Sequence, residues 1–145
     1  MVRKLNYLTF TRPDISFAVS VVNQFLNYPC EDHWNVVICI LKYIKRSPGK
    51  GLLYGSNNHT RVVCYSDANW AESPFDRRST SGYCVSIGGN LISWKIKKQS
   101  VLARSSAKAE YKAMASTSYE LVWLKQFLRE LQFGDVTQMT LMCDN

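Results

Sequence analysis

Three acidic residues, Asp67, Glu110 and Asp144, stand where carboxylates from separate segments could act on one ligand. Asp67 closes the run "RVVCYSD", Asp144 closes "MTLMCD", and Glu110 opens the apolar stripe of a long helical segment. Carboxylates gathered in one place repel and raise each other's pKa unless a cation sits between them. Oxygen donors without His or Cys select a hard ion, Mg²⁺ or Mn²⁺. Two such ions about 4 Å apart can activate a water and stabilise the leaving oxygen of a phosphodiester. Lys95, Lys97 and Lys98 in "KIKK", with Arg104, would supply positive charge for a phosphate backbone. Simpler readings stand beside these. An Asp at a strand end is commonly a turn former, and a Glu early in a helix commonly complements its dipole. A lysine run is commonly a solvated face, and Trp70 and Trp94 are more commonly packing residues than base-stacking ones.

The elements that must position these acids are set by the hydrophobic period. After Gly51 the period is two. "LLY" and "RVVCYSD" read as strands around the turn "GSNNH", and "SGYCVSI" and "LISWKI" flank "GGN" as a hairpin, with "SVLARS" a further short strand. Residues 105–131 form one helix in which Met114, Thr117, Leu121, Leu124, Leu128 and Leu131 recur at steps of three and four. Four residues before Met114 lies Glu110. "MTLMCD" is the last strand. A strand–helix–strand order favours a crossover that lays the last strand parallel to an earlier one. With "VVCYSD" as its neighbour, Asp67 and Asp144 leave the carboxyl ends of parallel strands, the edge where open α/β sheets hold ligands.

Before Gly51 the period is helical. "PDISFAVSVVNQFLNY" starts at Pro13 and ends before Pro29. "CEDHWNVVICILKYIKR" has acids in its first turn and cations in its last, as the helix dipole favours. A short link makes the two an antiparallel pair, and the boundary with the strand-rich remainder of the chain lies between residues 49 and 60.

An apolar content of 46 % over 145 residues suffices for a core, and a formal net charge of +7 suits a polyanionic partner. The five cysteines are odd in number and in no metal-binding spacing, so they read as small buried hydrophobes of a reducing compartment. Polar residues break any signal-peptide core at the start, and "VVICIL" is too short to span a bilayer. An intracellular location, cytoplasmic or nuclear, is the expectation.

The segments "YSDANWAESPFDRRSTSGYCVSIGGNLISWKIKKQSVLARSSAKAEYKAM", "ELVWLKQFLREL" and "CDN" closely resemble the ribonuclease H region of copia-type LTR retrotransposon polyproteins. "KLNYLTFTRPDISFAVSVVNQFL", "HW" and "ILKYIKRSPGKGLLY" resemble the stretch after the reverse-transcriptase palm of the same polyproteins, so the likeness runs through the whole chain. Its style points to a plant source. The resemblance implies an α/β fold: a ribonuclease H-like mixed sheet with a long packing helix, preceded by a helical pair. Residues 1–55 would be the reverse-transcriptase tail and 56–145 the ribonuclease H-like domain. The implied activity is cleavage of the RNA strand of RNA–DNA hybrids with two divalent ions, Mg²⁺ or Mn²⁺. Asp67 of "SDANW", Glu110 of "AEY" and Asp144 of "CDN" would be the metal-binding acids. Nucleic acid and the rest of the Pol polyprotein are the implied partners.

The sequence departs from the family pattern in places. Asn69 replaces the second Asp of the first motif and Glu72 its Gly, and Lys108 stands where Glu is usual. With Ser105 as N-cap, that Glu would complete a capping box. The chain stops before the family's fourth acid and its last elements, so the expectation is a truncated domain with weak or absent cleavage. Two other functions stay open: a non-catalytic nucleic-acid binder, and a captured transposon fragment working through a protein partner in the manner of an effector.

Overall fold

The computed structural model describes residues 1–133 and 138–143. The chain falls into two compact units, Met1–Leu53 and Tyr54–Asn145.

The first unit contains α1 (Val2–Leu8), a 3₁₀ turn (Pro13–Ile15), α2 (Ser16–Asn23) and α3 (Glu31–Arg46). Leu5, Ile15, Val19, Val22, Val37 and Ile40 form its core. Helix α1 is not expected from the sequence, although Val2, Leu5 and Leu8 recur at steps of three and all reach that core. The helix expected from Pro13 to Tyr28 splits: Pro13 opens the 3₁₀ turn, and α2 ends at Asn23. Beyond Val22 the apolar residues no longer find a core, and Leu26 and Tyr28 are exposed. Helix α3 starts at an N-cap Cys30, whose Sγ accepts the His33 N–H while His33 Nδ1 accepts the Cys30 N–H at 3.0 Å. Buried Arg12 closes the unit. Its Nε and Nη2 donate to Asp14 at 3.0 and 2.9 Å, and its Nη1 to the Ser47 carbonyl at 2.9 Å, beyond the end of α3. Asp14 also accepts from Tyr43, and the Arg12 pairing holds its carboxyl well below the usual carboxylate range.

The second unit is a mixed four-stranded sheet with one long helix. Its strands are β1 (Val62–Asn69), β2 (Thr80–Ile87), β3 (Asn90–Lys98) and β4 (Met139–Cys143), in the order β3-β2-β1-β4. The hairpin between β2 and β3 turns on Gly88 and Gly89, both at positive φ. This is the conformation that two-residue hairpins demand. A Cβ on Gly88 would also meet the His59 carbonyl oxygen at 2.6 Å. Helix α4 (Ser106–Glu130) then crosses to β4, which pairs parallel with β1 from Val62↔Met139 to Ser66↔Cys143. The expected crossover is therefore present. Residues 52–54 and 100–105, read as strands from sequence, are not. Leu53 is 96 % exposed, so the apolar pair Leu52–Leu53 has no sheet to join.

The sheet core joins Val62, Cys64 and Val85 to Leu121, Leu124 and Leu128 of α4. Cys64 meets the expectation for the cysteines, with burial foremost pushing its thiol up to about 12. Cys30 and Cys39 do not: both are exposed. One caps a helix and the other lies on the solvent side of α3. Among the described residues no helix is long and apolar enough to cross a membrane.

Candidate functional site

Helix α4 meets the sheet in two different ways. Its second half packs leucines against Val62, Cys64 and Val85. Its first half packs alanines: Ala109 and Ala113 close against Ala68 of β1 and Ala103 of the preceding link. Small side chains on both sides let the start of the helix approach the strand closely. Thr117, between the halves, bonds Ser66 of β1 at 3.1 Å in the buried layer and returns a bond to the Ala113 carbonyl at 2.8 Å. The expected stripe is thus present at Thr117, Leu121, Leu124 and Leu128. Met114 is only half-buried and Leu131 is exposed, and Ala109 and Ala113 take the place that larger residues were expected to fill.

The consequence is the placement of Glu110. Its Oε1 accepts the backbone N–H of Ala68 at 3.2 Å. That N–H belongs to the peptide joining Ala68 to Asp67. The structure therefore brings Glu110 to Asp67's own stretch of β1, near the strand's carboxyl end. Asp67 is exposed and alternates with buried Ser66 and Ala68. Its side chain leaves the sheet on the side opposite α4, whereas Glu110 reaches the strand from the helix side. Beside Asp67 the sheet is low, because its partner on β2 is Gly82, followed by Ile96 on β3. Asp144 lies outside the described residues; the residue before it, Cys143, is paired with Ser66. Among the described residues no three His, Cys, Asp or Glu side chains converge tightly enough to hold a metal ion. The donor set that Asp67 and Glu110 offer is oxygen alone, the chemistry of a hard cation.

Two further residues hold this corner and leave no mark in the sequence pattern. The Gln99 carboxamide donates to Ser81 Oγ on β2 at 2.7 Å and to the Ala109 carbonyl on α4 at 2.9 Å. It thereby ties the sheet to the residue next to Glu110. Its nitrogen must face Ala109, since a carbonyl can only accept. The Trp70 indole donates to the Ala103 carbonyl at 2.9 Å, pinning the chain after β1 to the link before α4. Neither shows in periodicity, because each works through isolated bonds to distant residues.

The cations divide. By register, Lys95 and Lys97 lie on the α4 side of β3, opposite Tyr83 and Ser81, and Lys98 on the other side. Lys95 pairs with Glu120 at 3.4 Å. Lys98 is held by Ser73 at 3.1 Å and Asp76 at 3.5 Å. The Asp76 carboxyl is kept below its ordinary range by the Ser73 bond first, with Arg78 and Lys98 assisting. Lys97 and Arg104 are exposed. The structure therefore does not gather the four into one patch.

Compared with known proteins, the chain is 41 % identical over its full 145 residues to the Retrovirus-related Pol polyprotein from transposon RE2 of Arabidopsis thaliana, 10 % of whose length it covers. It is 41 % identical over 121 residues to the Retrovirus-related Pol polyprotein from transposon TNT 1-94 of Nicotiana tabacum, covering 9 % of that protein. It is also 40 % identical over 117 residues to the Secreted RxLR effector protein 161 of Plasmopara viticola, and here it covers 82 % of the relative. The chain thus spans about a tenth of the Pol polyproteins it matches. No protein-family model matches the chain. No solved structure matches it significantly.

Proposed function

We propose that this chain, related over its whole length to a segment of copia-type retrotransposon Pol polyproteins, carries in its second unit a ribonuclease H-like domain whose ancestral reaction is hydrolysis of the RNA strand of an RNA–DNA hybrid. In this reading Asp67 and Glu110, with Asp144, hold Mg²⁺ or Mn²⁺. The bound ions would supply a water acidic enough to attack phosphorus and a counter-charge for the leaving oxygen. The chain's own residues do the placing. Glu110 is fixed by the Ala68 N–H, the alanine contact and the Gln99 bond one residue away. Gly82 leaves the sheet open beside Asp67, where a phosphate must come close. Exposed Lys97 and Arg104 add positive charge for the nucleic-acid backbone. The observation that carries the reading is the Glu110–Ala68 bond, which holds Glu110 against the peptide that follows Asp67 near the carboxyl end of β1, with the Asp67 carboxylate leaving the opposite side of the sheet there.

The test is Mn²⁺ binding and cleavage of a labelled RNA–DNA hybrid by the chain and by its Asp67→Asn and Glu110→Gln variants. Mn²⁺ affinity and cleavage that both variants lose support the reading. A chain that binds Mn²⁺ no better than Asp67→Asn, and leaves the hybrid intact, refutes it.

One observation favours a second reading. The effector relative is matched over most of its own length, so this module also occurs outside a polyprotein. A captured fragment acting through a protein partner would bind that partner equally well with and without Asp67. A non-catalytic nucleic-acid binder would lose affinity steeply with salt and ignore the same substitution.

A further inference from the structure

Helix α4 has a second apolar stripe, facing away from the sheet. Tyr119 is 78 % exposed, Trp123 60 % and Phe127 42 %. The Trp123 and Phe127 rings stack on one another, centroids 5.4 Å apart and planes within 8°. With Lys112 and Ser116 before them and Glu130 after, these residues recur at steps of three and four along one flank of the helix. An exposed aromatic ridge on a helix already anchored by its other face marks a contact surface.

The charges at its ends say what fits. Lys112 stands at the amino end of the stripe and Glu130 at the carboxyl end. Among pairings of this ridge with its own copy, the antiparallel one meets both charges with the opposite sign, whereas a parallel one sets like against like. We propose that two copies of this chain associate through α4, antiparallel, about a two-fold axis level with residue 121. A two-fold axis there carries each residue to the position equally far on the other side of 121. Lys112 meets the partner's Glu130, and Glu130 meets the partner's Lys112. Tyr119 meets the partner's Trp123. On the two flanks of that line small Ser116 meets the partner's Phe127, and Ala115 the partner's Gln126, so large side chains oppose small ones as helix packing requires. The charges also select this register. An axis half a residue earlier would set Lys112 against the partner's Arg129, a like-charge pair. The aromatic burial supplies the affinity and the ion pairs the alignment, since exposed ion pairs contribute little by themselves. The surface lies away from Asp67, so it stands or falls independently of the nuclease reading.

Sedimentation equilibrium of the full chain from ~1 to ~500 µM tests the proposal. A monomer–dimer equilibrium is expected, and Trp123→Asp should raise its dissociation constant about 100-fold or more, since each interface loses two central aromatics. Trp123 lies outside the core, so the variant is expected to fold, which circular dichroism checks. Lys112→Glu alone should weaken the dimer about 3- to 10-fold, and adding Glu130→Lys should restore it. A monomer throughout the range overturns the proposal. So does a dimer indifferent to Trp123→Asp, or a charge swap whose double variant is weaker than either single one.

Discussion

Replacing Ala113 by Leu tests whether small side chains at the start of α4 set the position of Glu110. Ala113 is 1 % exposed, and its neighbours Ala109, Ala103 and Ala68 are buried with it. The substitution adds three carbons where no space exists, and overpacking of this kind costs about 1–3 kcal/mol. The strain is relieved most easily by lifting the first turns of α4, because the leucines anchor only its later turns. The Glu110–Ala68 bond is 3.2 Å long, so a lift of about half an ångström already exceeds hydrogen-bond distance. Losing a hydrogen bond to a charged group costs about 1.5–3 kcal/mol. The Ala68 amide should then exchange its proton about tenfold or more faster, relative to Cys64 in the same strand. Amide exchange by NMR reads both protons in one experiment, and urea denaturation gives the global loss. The internal reference separates a local lift from general destabilisation. If Ala68 and Cys64 lose protection by the same factor, the helix start has not moved, and the argument that alanines deliver Glu110 is wrong.

Lys108→Glu should raise stability by about 1 kcal/mol, seen as a higher melting temperature: Ser105 Oγ already accepts the Lys108 N–H at 3.3 Å, and a Glu there can return a bond to the Ser105 N–H while removing a positive charge from the helix start. No rise would show that the first turn of α4 gains nothing from either effect. Asp14 contributes stability that is fully present above its unfolded value near 3.8 and lost as pH falls through the lower folded value, because Arg12 foremost depresses its pKa. Asp14→Asn should therefore destabilise the first unit at neutral pH and flatten its acid unfolding curve, followed by Trp34 fluorescence; an unchanged acid limb would contradict this. Iodoacetamide at mildly alkaline pH should label exposed Cys30 and Cys39 in the native chain and reach Cys64, with its thiol near 12, only on unfolding. Native labelling of Cys64 by peptide mass spectrometry would place it outside the core.

The parallel pairing of β1 with β4, the hairpin at Gly88 and Gly89, and the leucine half of α4 are all legible in the sequence, because each leaves a periodic or turn-specific mark. Helix α1 is not, since Val2, Leu5 and Leu8 gain meaning only once the rest of the first core is known. The strands expected at 52–54 and 100–105 fail for the opposite reason: a local β pattern comes without a neighbouring edge to pair with. At the candidate site, the choice of Asp67 and Glu110 comes from position along strand and helix. The way they are joined does not. Alanine counts weakly in any hydrophobic pattern, so the contact of Ala68, Ala103, Ala109 and Ala113 is invisible there. The bonds of Gln99 and Trp70 are invisible for the same kind of reason: isolated bonds across many residues carry no period.

The two halves of α4 divide stability from placement. Removing a leucine from the later half, as in Leu124→Ala, would cost about 2–5 kcal/mol through the cavity it leaves, without touching the turns that carry Glu110. The earlier half buries less apolar surface for the same length of helix. At about 25 cal/mol per Å² of apolar surface, stability alone would favour larger side chains at positions 109 and 113 with a helix set slightly further out. Such a helix would not bring a carboxylate to the Ala68 N–H. Close approach is the one property that alanine provides there and leucine does not. Its product is an acid held against the strand that carries Asp67. The arrangement therefore fits the proposed site on β1 better than the demands of the core.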